Sequence, residues 1–104
     1  MPPLLRIRNY RKDDLESFCE IDRVCFPADI AFTRADFLNY LKHPESIARV
    51  GESQGRILGF VMAQKDRHAW AHVITLDVIP EARHQHIGTV LMTALHRELK
   101  KRGI

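Results

Sequence analysis

The sequence has no hydrophobic run near the ~20 residues that a membrane-spanning helix needs. Its first ten residues, MPPLLRIRNY, also lack the long apolar stretch of a secretion signal. From these two absences we expect a cytoplasmic protein without a membrane anchor. The 104 residues are enough for one domain, residues 1–104, and the 45% hydrophobic and 28% charged content is typical of globular proteins.

Cysteine is scarce, with only Cys19 and Cys25. Their spacing matches neither a CxxC redox motif nor a zinc-binding pattern, so we predict two reduced, buried thiols. The histidine pairs His68–His72 and His84–His86 lack a third ligand, and we predict no metal site.

An excess of one charge is also missing, because the net charge is only +3. This mild basicity suits an anionic ligand but is too weak to predict nucleic-acid binding. A small RNA-associated domain stays an alternative, and the lack of an aromatic platform disfavours it.

The first half of the chain predicts one strand and two helices. Residues 4–10 alternate in part between apolar and polar side chains, as in a strand. Apolar residues recur at helical spacing from Leu15 to Cys25, and Pro27 ends that helix. Thr33 and Asp36 form a capping box that begins a second helix, and His43-Pro44 ends it.

The second half predicts three strands, over residues 46–52, 56–64 and 72–79, with Gly55 in the first turn. A helix follows over about 87–102, and its buried line comprises Ile87, Leu91, Leu95 and Leu99. The order is β-α-α-β-β-β-α, an α/β (α+β) class. Short turns favour a mixed, mostly antiparallel sheet, with the final helix on one face.

The stretch PEARHQHIGTVLM, residues 80–92, predicts an anion site. The amides of a helix N-terminus lack acceptors and carry a partial positive charge, and Arg83 adds a cation near Gly88. A phosphate or pyrophosphate is the natural ligand. The same pattern also fits an ordinary strand–helix connection, and both the Gly-Lys-Ser/Thr and the GxGxxG motifs are missing.

The longer stretch TLDVIPEARHQHIGTVLM resembles the acetyl-coenzyme A signature of the GNAT-type N-acetyltransferases. That signature is a strand, Val-x-Pro, and Arg/Gln-x-x-Gly-x-Gly/Ala at a helix start. Arg83 and Gly88 match its ends, whereas His86 replaces the middle glycine. EIDRVCFPADIAFTRADF is similar to the helix–loop–helix of the branch that acetylates protein N-termini, including the ribosomal-protein-alanine acetyltransferases.

The resemblance implies direct transfer of an acetyl group from acetyl-coenzyme A to a primary amine, either a protein or peptide N-terminus or a small amine. The residues implied to bind the coenzyme are Leu76, Asp77, Val78, Arg83, His84, Gln85, His86, Ile87, Gly88 and Thr89. A kink would free the Val78 amide to stabilise the oxyanion. A positive φ at His86 would cost about 1–3 kcal/mol. Phe26, Pro27 and Ala28 would line the groove for the amine.

By the same resemblance His72 is the catalytic candidate, because it aligns with a strand position that carries a catalytic tyrosine in some N-terminal acetyltransferases. Histidine exchanges a proton near neutral pH. The alternative is a surface or half-buried histidine. Thr75 is a weaker candidate, and Asp77 can act as a base or bond locally.

In the family, the final helix is followed by another strand, a helix and a hairpin, and we expect residues 1–104 to lack them. Strand 72–79 would then present an open edge, and we predict a homodimer or larger assembly through it. The alternative function is a noncatalytic coenzyme-binding or oligomerisation module.

Overall fold

The computed structural model describes residues 4–104. Its main elements are β1 (Arg6–Asn9), α1 (Leu15–Cys25), α2 (Arg34–Lys42), β2 (Ser46–Ser53), β3 (Arg56–Lys65), β4 (Ala71–Val78) and α3 (Ile87–Lys101). Short 3-10 turns at Lys12–Asp14 and Pro80–Ala82 precede α1 and α3. The predicted order of strands and helices is confirmed.

The four strands form one sheet in the order β1-β2-β3-β4, and each neighbouring pair is antiparallel. The turn between β2 and β3 is left-handed at Gln54 and Gly55, with φ of 52° and 81°. Strand β4 lies at one edge of this sheet. Its register against β3 shifts, because Met62 faces Thr75 and Ala63 faces Val73, which leaves Ile74 as a bulge.

Strand β3 is buried on both faces from Leu58 to Ala63. On one face Phe60 stacks on Phe18 of α1, with ring centroids 3.9 Å apart, and also contacts Phe37 of α2. Helix α3 covers the other face, where Leu91 packs near Gly51. The sheet is therefore sandwiched between α1 and α2 on one side and α3 on the other.

Two burial predictions need correction. Leu99 is half-buried, so the buried line of α3 consists of Ile87, Leu91 and Leu95. Both cysteines are free thiols, but only Cys19 is buried and Cys25 is half-buried. Within residues 4–104 no helix combines the length and the hydrophobicity needed to cross a lipid bilayer.

Candidate active site

The turn between β4 and α3 has an unusual backbone. His84 and His86 both adopt left-handed conformations, with φ of 66° and 64°, although neither is glycine. His86 is the residue from which α3 begins. The positive φ that would strain His86 is therefore present.

The first turn of α3 has no side-chain cap and no acidic residue. Val90 makes the first helical bond, donating its N–H to the His86 carbonyl at 3.0 Å. Within residues 4–104, no backbone acceptor is recorded for the N–H groups of residues 84–89. Such a turn presents several free donors and the positive end of the helix dipole.

A surface cavity of about 410 Å³ opens at this turn. It is lined by Val78, Ala82, Arg83, His84, His86, Ile87, Gly88 and Thr89. All of these residues except Ala82 are among those predicted to bind the coenzyme. Free amides around a cavity suit an anionic ligand.

The carbonyl of Val78 joins this turn to the end of α1. It accepts a hydrogen bond from Nε of Arg83 at 3.2 Å and one from the Cys25 thiol at 3.4 Å. Nη2 of Arg83 also lies 3.5 Å from Sγ of Cys25. The segment that begins at Cys25 and the turn that contains Arg83 are therefore neighbours, which the sequence did not indicate.

The predicted amine loop starts where α1 ends. Phe26 is extended, and the Pro27 carbonyl accepts the N–H groups of Ile30 and Ala31, each at 2.9 Å. Ala28 lines a separate cavity of about 390 Å³ between α1 and α2, together with Phe32. The loop that follows Cys25 therefore starts beside Arg83 and reaches this second cavity at Ala28.

The Val78 amide faces the outer edge of the sheet. The next residue, Ile79, donates its N–H to the Leu58 carbonyl at 2.9 Å, and amide directions alternate along a strand. The irregularity of β4 is the bulge at Ile74, four residues before Val78. The side chain of Leu76 is 37% exposed, and its Cδ2 lies 3.8 Å from the position that a Cβ on Gly88 would occupy.

His72 lies near the start of β4, where its ring is exposed. Its Nε2 is 3.0 Å from Oδ2 of Asp66, whose other oxygen accepts the N–H groups of His68 and Trp70. The hydrogen bond with His72, followed by those two amides, lowers the pKa of Asp66 to about 2. Asp66 is therefore a charged partner for His72 at neutral pH.

The two candidate catalytic groups lie at opposite ends of β4. His72 is six residues before Val78, roughly 20 Å along an extended strand. The structure therefore does not gather them into one compact site. A ligand would contact both only if it lay along the strand.

The side chain of Asp77 does not face the edge of β4. It is 1% exposed, accepts a hydrogen bond from the Thr75 hydroxyl, and lies within hydrogen-bonding reach of Asp22 on α1. Burial, followed by the contact with Asp22, raises the pKa of Asp77 to about 8. Any coenzyme contact of Asp77 is thus limited to its backbone.

Asp22 was not among the residues predicted from the sequence. The signal was available, because Asp22 falls four residues after Phe18 on the apolar stripe of α1. A carboxylate on that stripe needs a buried partner. Across the described part of the chain, no group of three or more His, Cys, Asp or Glu side chains is arranged to hold a metal ion.

Comparison with known proteins gives a consistent result. Residues 15–104 match the acetyltransferase (GNAT) family. An N-alpha-acetyltransferase from Sulfurisphaera tokodaii is 27% identical over 110 residues, which cover 92% of this chain and 63% of that protein.

Two crystal structures have the same fold. The ribosomal-protein-S18-alanine N-acetyltransferase from Escherichia coli matches with a TM-score of 0.85 and 20% identity, over 96% of this chain and 62% of that one. The PaiA N-acetyltransferase from Thermoplasma acidophilum, in complex with coenzyme A, gives 0.82 and 21%, over 96% and 74%. The predicted fold is confirmed, and the chain spans 63% and 62% of the first two relatives.

Proposed function

This chain belongs to the acetyltransferase (GNAT) family, as its sequence resemblance predicted, and on that premise we propose that it is an acetyl-coenzyme A-dependent N-acetyltransferase. The acetyl group would pass directly from the thioester to a primary amine. The N-terminus of a protein is the proposed acceptor, because an N-alpha-acetyltransferase is among the relatives.

The observation that carries this proposal is the uncapped turn of residues 83–89. Among residues 4–104, the N–H groups of residues 84–89 have no backbone acceptor, and they lie around a cavity of about 410 Å³. A diphosphate needs several donors and a nearby cation, and the turn offers both the amides and Arg83. The residues present therefore fit coenzyme A.

When bound, acetyl-coenzyme A supplies a thioester that an amine can attack. The chain's own contribution begins at Val78, whose N–H faces the open edge of β4. A donor fixed in that position stabilises negative charge on a carbonyl oxygen without reorganising. We assign the predicted oxyanion contact to this amide.

His72 is the proposed final acceptor of the amine proton. Because it lies roughly 20 Å from Val78, the proton would reach it through a chain of water molecules along the edge of β4. Amines are protonated at neutral pH, and one proton must leave before attack. The Asp66 carboxylate, 3.0 Å from Nε2, stays ionised and orients the imidazole. The charged imidazole that results is stabilised by the same carboxylate.

The acceptor is proposed to approach along Phe26, Pro27 and Ala28. This loop lies beside Val78 and Arg83, because the Cys25 thiol contacts the Val78 carbonyl. The acceptor would thus reach β4 from the side of α1.

We further propose that the edge of β4 pairs with a second copy of the chain. Val73 and Leu76 are partly exposed there, and Trp70 is 70% exposed in the preceding turn. An unpaired strand edge with apolar side chains is a template for strand addition. A single domain over residues 1–104 and a cytoplasmic location complete the proposal.

The distance between His72 and Val78 favours one alternative, a noncatalytic coenzyme-binding module. Titration calorimetry with coenzyme A tests binding, and turnover of N-terminal peptides tests catalysis. Binding without turnover supports the module. Absence of binding at saturating concentration contradicts both functions.

Arg83→Met tests the coenzyme turn. We expect the affinity for coenzyme A to fall about five- to tenfold, because one exposed charge-assisted contact is lost. Arg97→Met is the matched control, since Arg97 is exposed on α3 away from this turn. Equal affinities for the two variants would contradict the assignment of the turn.

His72→Gln tests the proton acceptor. The expected loss in kcat/KM is about 100-fold, the usual contribution of a general base. His96→Gln, at an exposed position on α3, is the control. If both variants keep full turnover, His72 is a surface histidine.

A further inference from the structure

Two carboxyl groups that the proposed acetyl transfer does not use lie beneath the end of β4. Asp22 on α1 and Asp77 on β4 are each 1% exposed. The two side chains lie within hydrogen-bonding reach of each other. Buried carboxyl groups in contact need an explanation, because two adjacent negative charges away from water are strongly unfavourable.

The hydrogen bonds of their four oxygens are incomplete. Oδ2 of Asp22 accepts the N–H of Phe32 at 2.7 Å, and Oδ1 of Asp77 accepts the Thr75 hydroxyl. Oδ1 of Asp22 and Oδ2 of Asp77 are buried and have no recorded donor in the described part of the chain. One proton between the two carboxyl groups would satisfy both oxygens.

Among residues 4–104, no ion pair joins a cation to Asp22 or Asp77. On β3 the residue opposite Asp77 is the apolar Phe60. Four charged groups on the surrounding elements have contacts elsewhere: Arg23 with the Cys19 carbonyl, Arg34 with Glu16, Asp36 with Thr33, and Arg83 with the Val78 carbonyl. The Cys25 thiol also bonds to Val78.

We propose that Asp22 and Asp77 share a single proton in the folded protein, and that this proton holds the loop of residues 26–32 against the end of β4. The Asp22 carboxylate accepts a hydrogen bond from the N–H of Phe32, at the far end of that loop. Asp77 directly precedes Val78. The pair is thus a positioning device that sets the distance between the acceptor loop and the coenzyme strand.

Stability should depend on pH with a defined sign. Burial and Asp22 raise the pKa of Asp77 from 3.8 to about 8. Between these values the folded protein holds a proton that the unfolded chain releases, so rising pH favours unfolding. The stabilisation is complete below about pH 4 and is lost as pH rises to about 8. One proton changes the unfolding equilibrium constant by up to about tenfold per pH unit.

The test is urea unfolding across this pH window. Asp77→Asn and Asp22→Asn each replace the shared proton with a permanent amide donor. In each variant the pH dependence of the unfolding equilibrium constant should be weaker than in the wild type by up to about tenfold per pH unit. Asp13→Asn, at an exposed carboxylate, should keep the wild-type dependence. If the two buried variants also keep it, the pair shares no proton.

Carbon-13 NMR of the unmodified protein covers the case in which these variants do not fold. One carboxyl of the pair should titrate near pH 8, and hydrogen-exchange protection of the Phe32 amide should fall at least about tenfold over the same range. Ordinary titration of every aspartate near its reference value of about 3.9 would overturn the inference.

Only the positioning role of the pair rests on the proposed function. The unfolding and NMR measurements need no coenzyme. If the protein shows the titration but does not bind coenzyme A, the shared proton is supported and the proposed function is contradicted. If it binds coenzyme A but does not show the titration, the shared proton is contradicted and the proposed function stands.

Discussion

The centre of the sheet and the first turn of α3 each contain a glycine, but for different reasons. A Cβ on Gly59 of β3 would lie 2.6 Å from the Asp77 carbonyl oxygen. A Cβ on Gly88 would meet only Cδ2 of Leu76, at 3.8 Å. Gly59 is therefore required by the close approach of β3 to β4, whereas packing does not require Gly88.

The turn before Gly88 also differs from the β2–β3 turn in which residues adopt a left-handed backbone. The β2–β3 turn places one non-glycine residue, Gln54, at positive φ and uses Gly55 for the other left-handed position, whereas the turn before Gly88 places two histidines, His84 and His86, at positive φ. Left-handed backbone costs an L-residue about 1–2 kcal/mol. Strain of this kind persists where the side chain or the backbone serves a function. The sheet centre is thus governed by packing, whereas the strain in the turn supports the proposed ligand site there.

Of the three substitutions that test this comparison, Gly59→Ala should change the free energy of unfolding the most. The added methyl group clashes with backbone, which cannot rotate away as a side chain can. We expect the free energy of unfolding to fall by about 2–3 kcal/mol, measured by urea denaturation. A loss below about 0.5 kcal/mol would mean that the two strands separate easily there.

His86→Gly should act in the opposite direction. Release of about 1–3 kcal/mol of strain, less about 0.5–1 kcal/mol for the added backbone freedom, should raise the free energy of unfolding by about 1 kcal/mol. The affinity for coenzyme A should fall about threefold, since a polar side chain beside the anion is lost. Destabilisation by this change would show that His86 is not strained.

Gly88→Ala should have the smallest effect. Alanine is the better helix former, and its methyl group makes an ordinary contact, so the free energy of unfolding should rise by about 0.5 kcal/mol. Urea denaturation of this variant and of Gly59→Ala under the same conditions provides the comparison. A loss as large as that of Gly59→Ala would erase the distinction between the two regions.

The bounds of the helices and strands were predictable because they depend on neighbours in sequence. The capping box is an example: Asp36 N–H donates to the Thr33 hydroxyl at 3.1 Å, and Thr33 N–H donates to Asp36 at 2.9 Å. The turn at Gly55 and the end of α3 before Gly103, with φ of 77°, follow the same logic.

The candidate site was predictable only in part. The coenzyme turn follows from its position between a strand and a helix. The contact of Cys25 with Arg83 and Val78 does not, because it joins elements that are remote in sequence. The position of the bulge at Ile74 was not predictable either, since register depends on the partner strand.

By itself, the sequence determined the order of the elements, the capping box of α2 and a helix start rich in free amides, because periodicity and turn chemistry act over a few residues. Only the tertiary structure decided that Asp22 meets Asp77, that His72 lies a strand's length from Val78, and that Cys25 is half-buried. These outcomes depend on how α1 packs across β4, and packing is set by the sum of many contacts rather than by any local pattern.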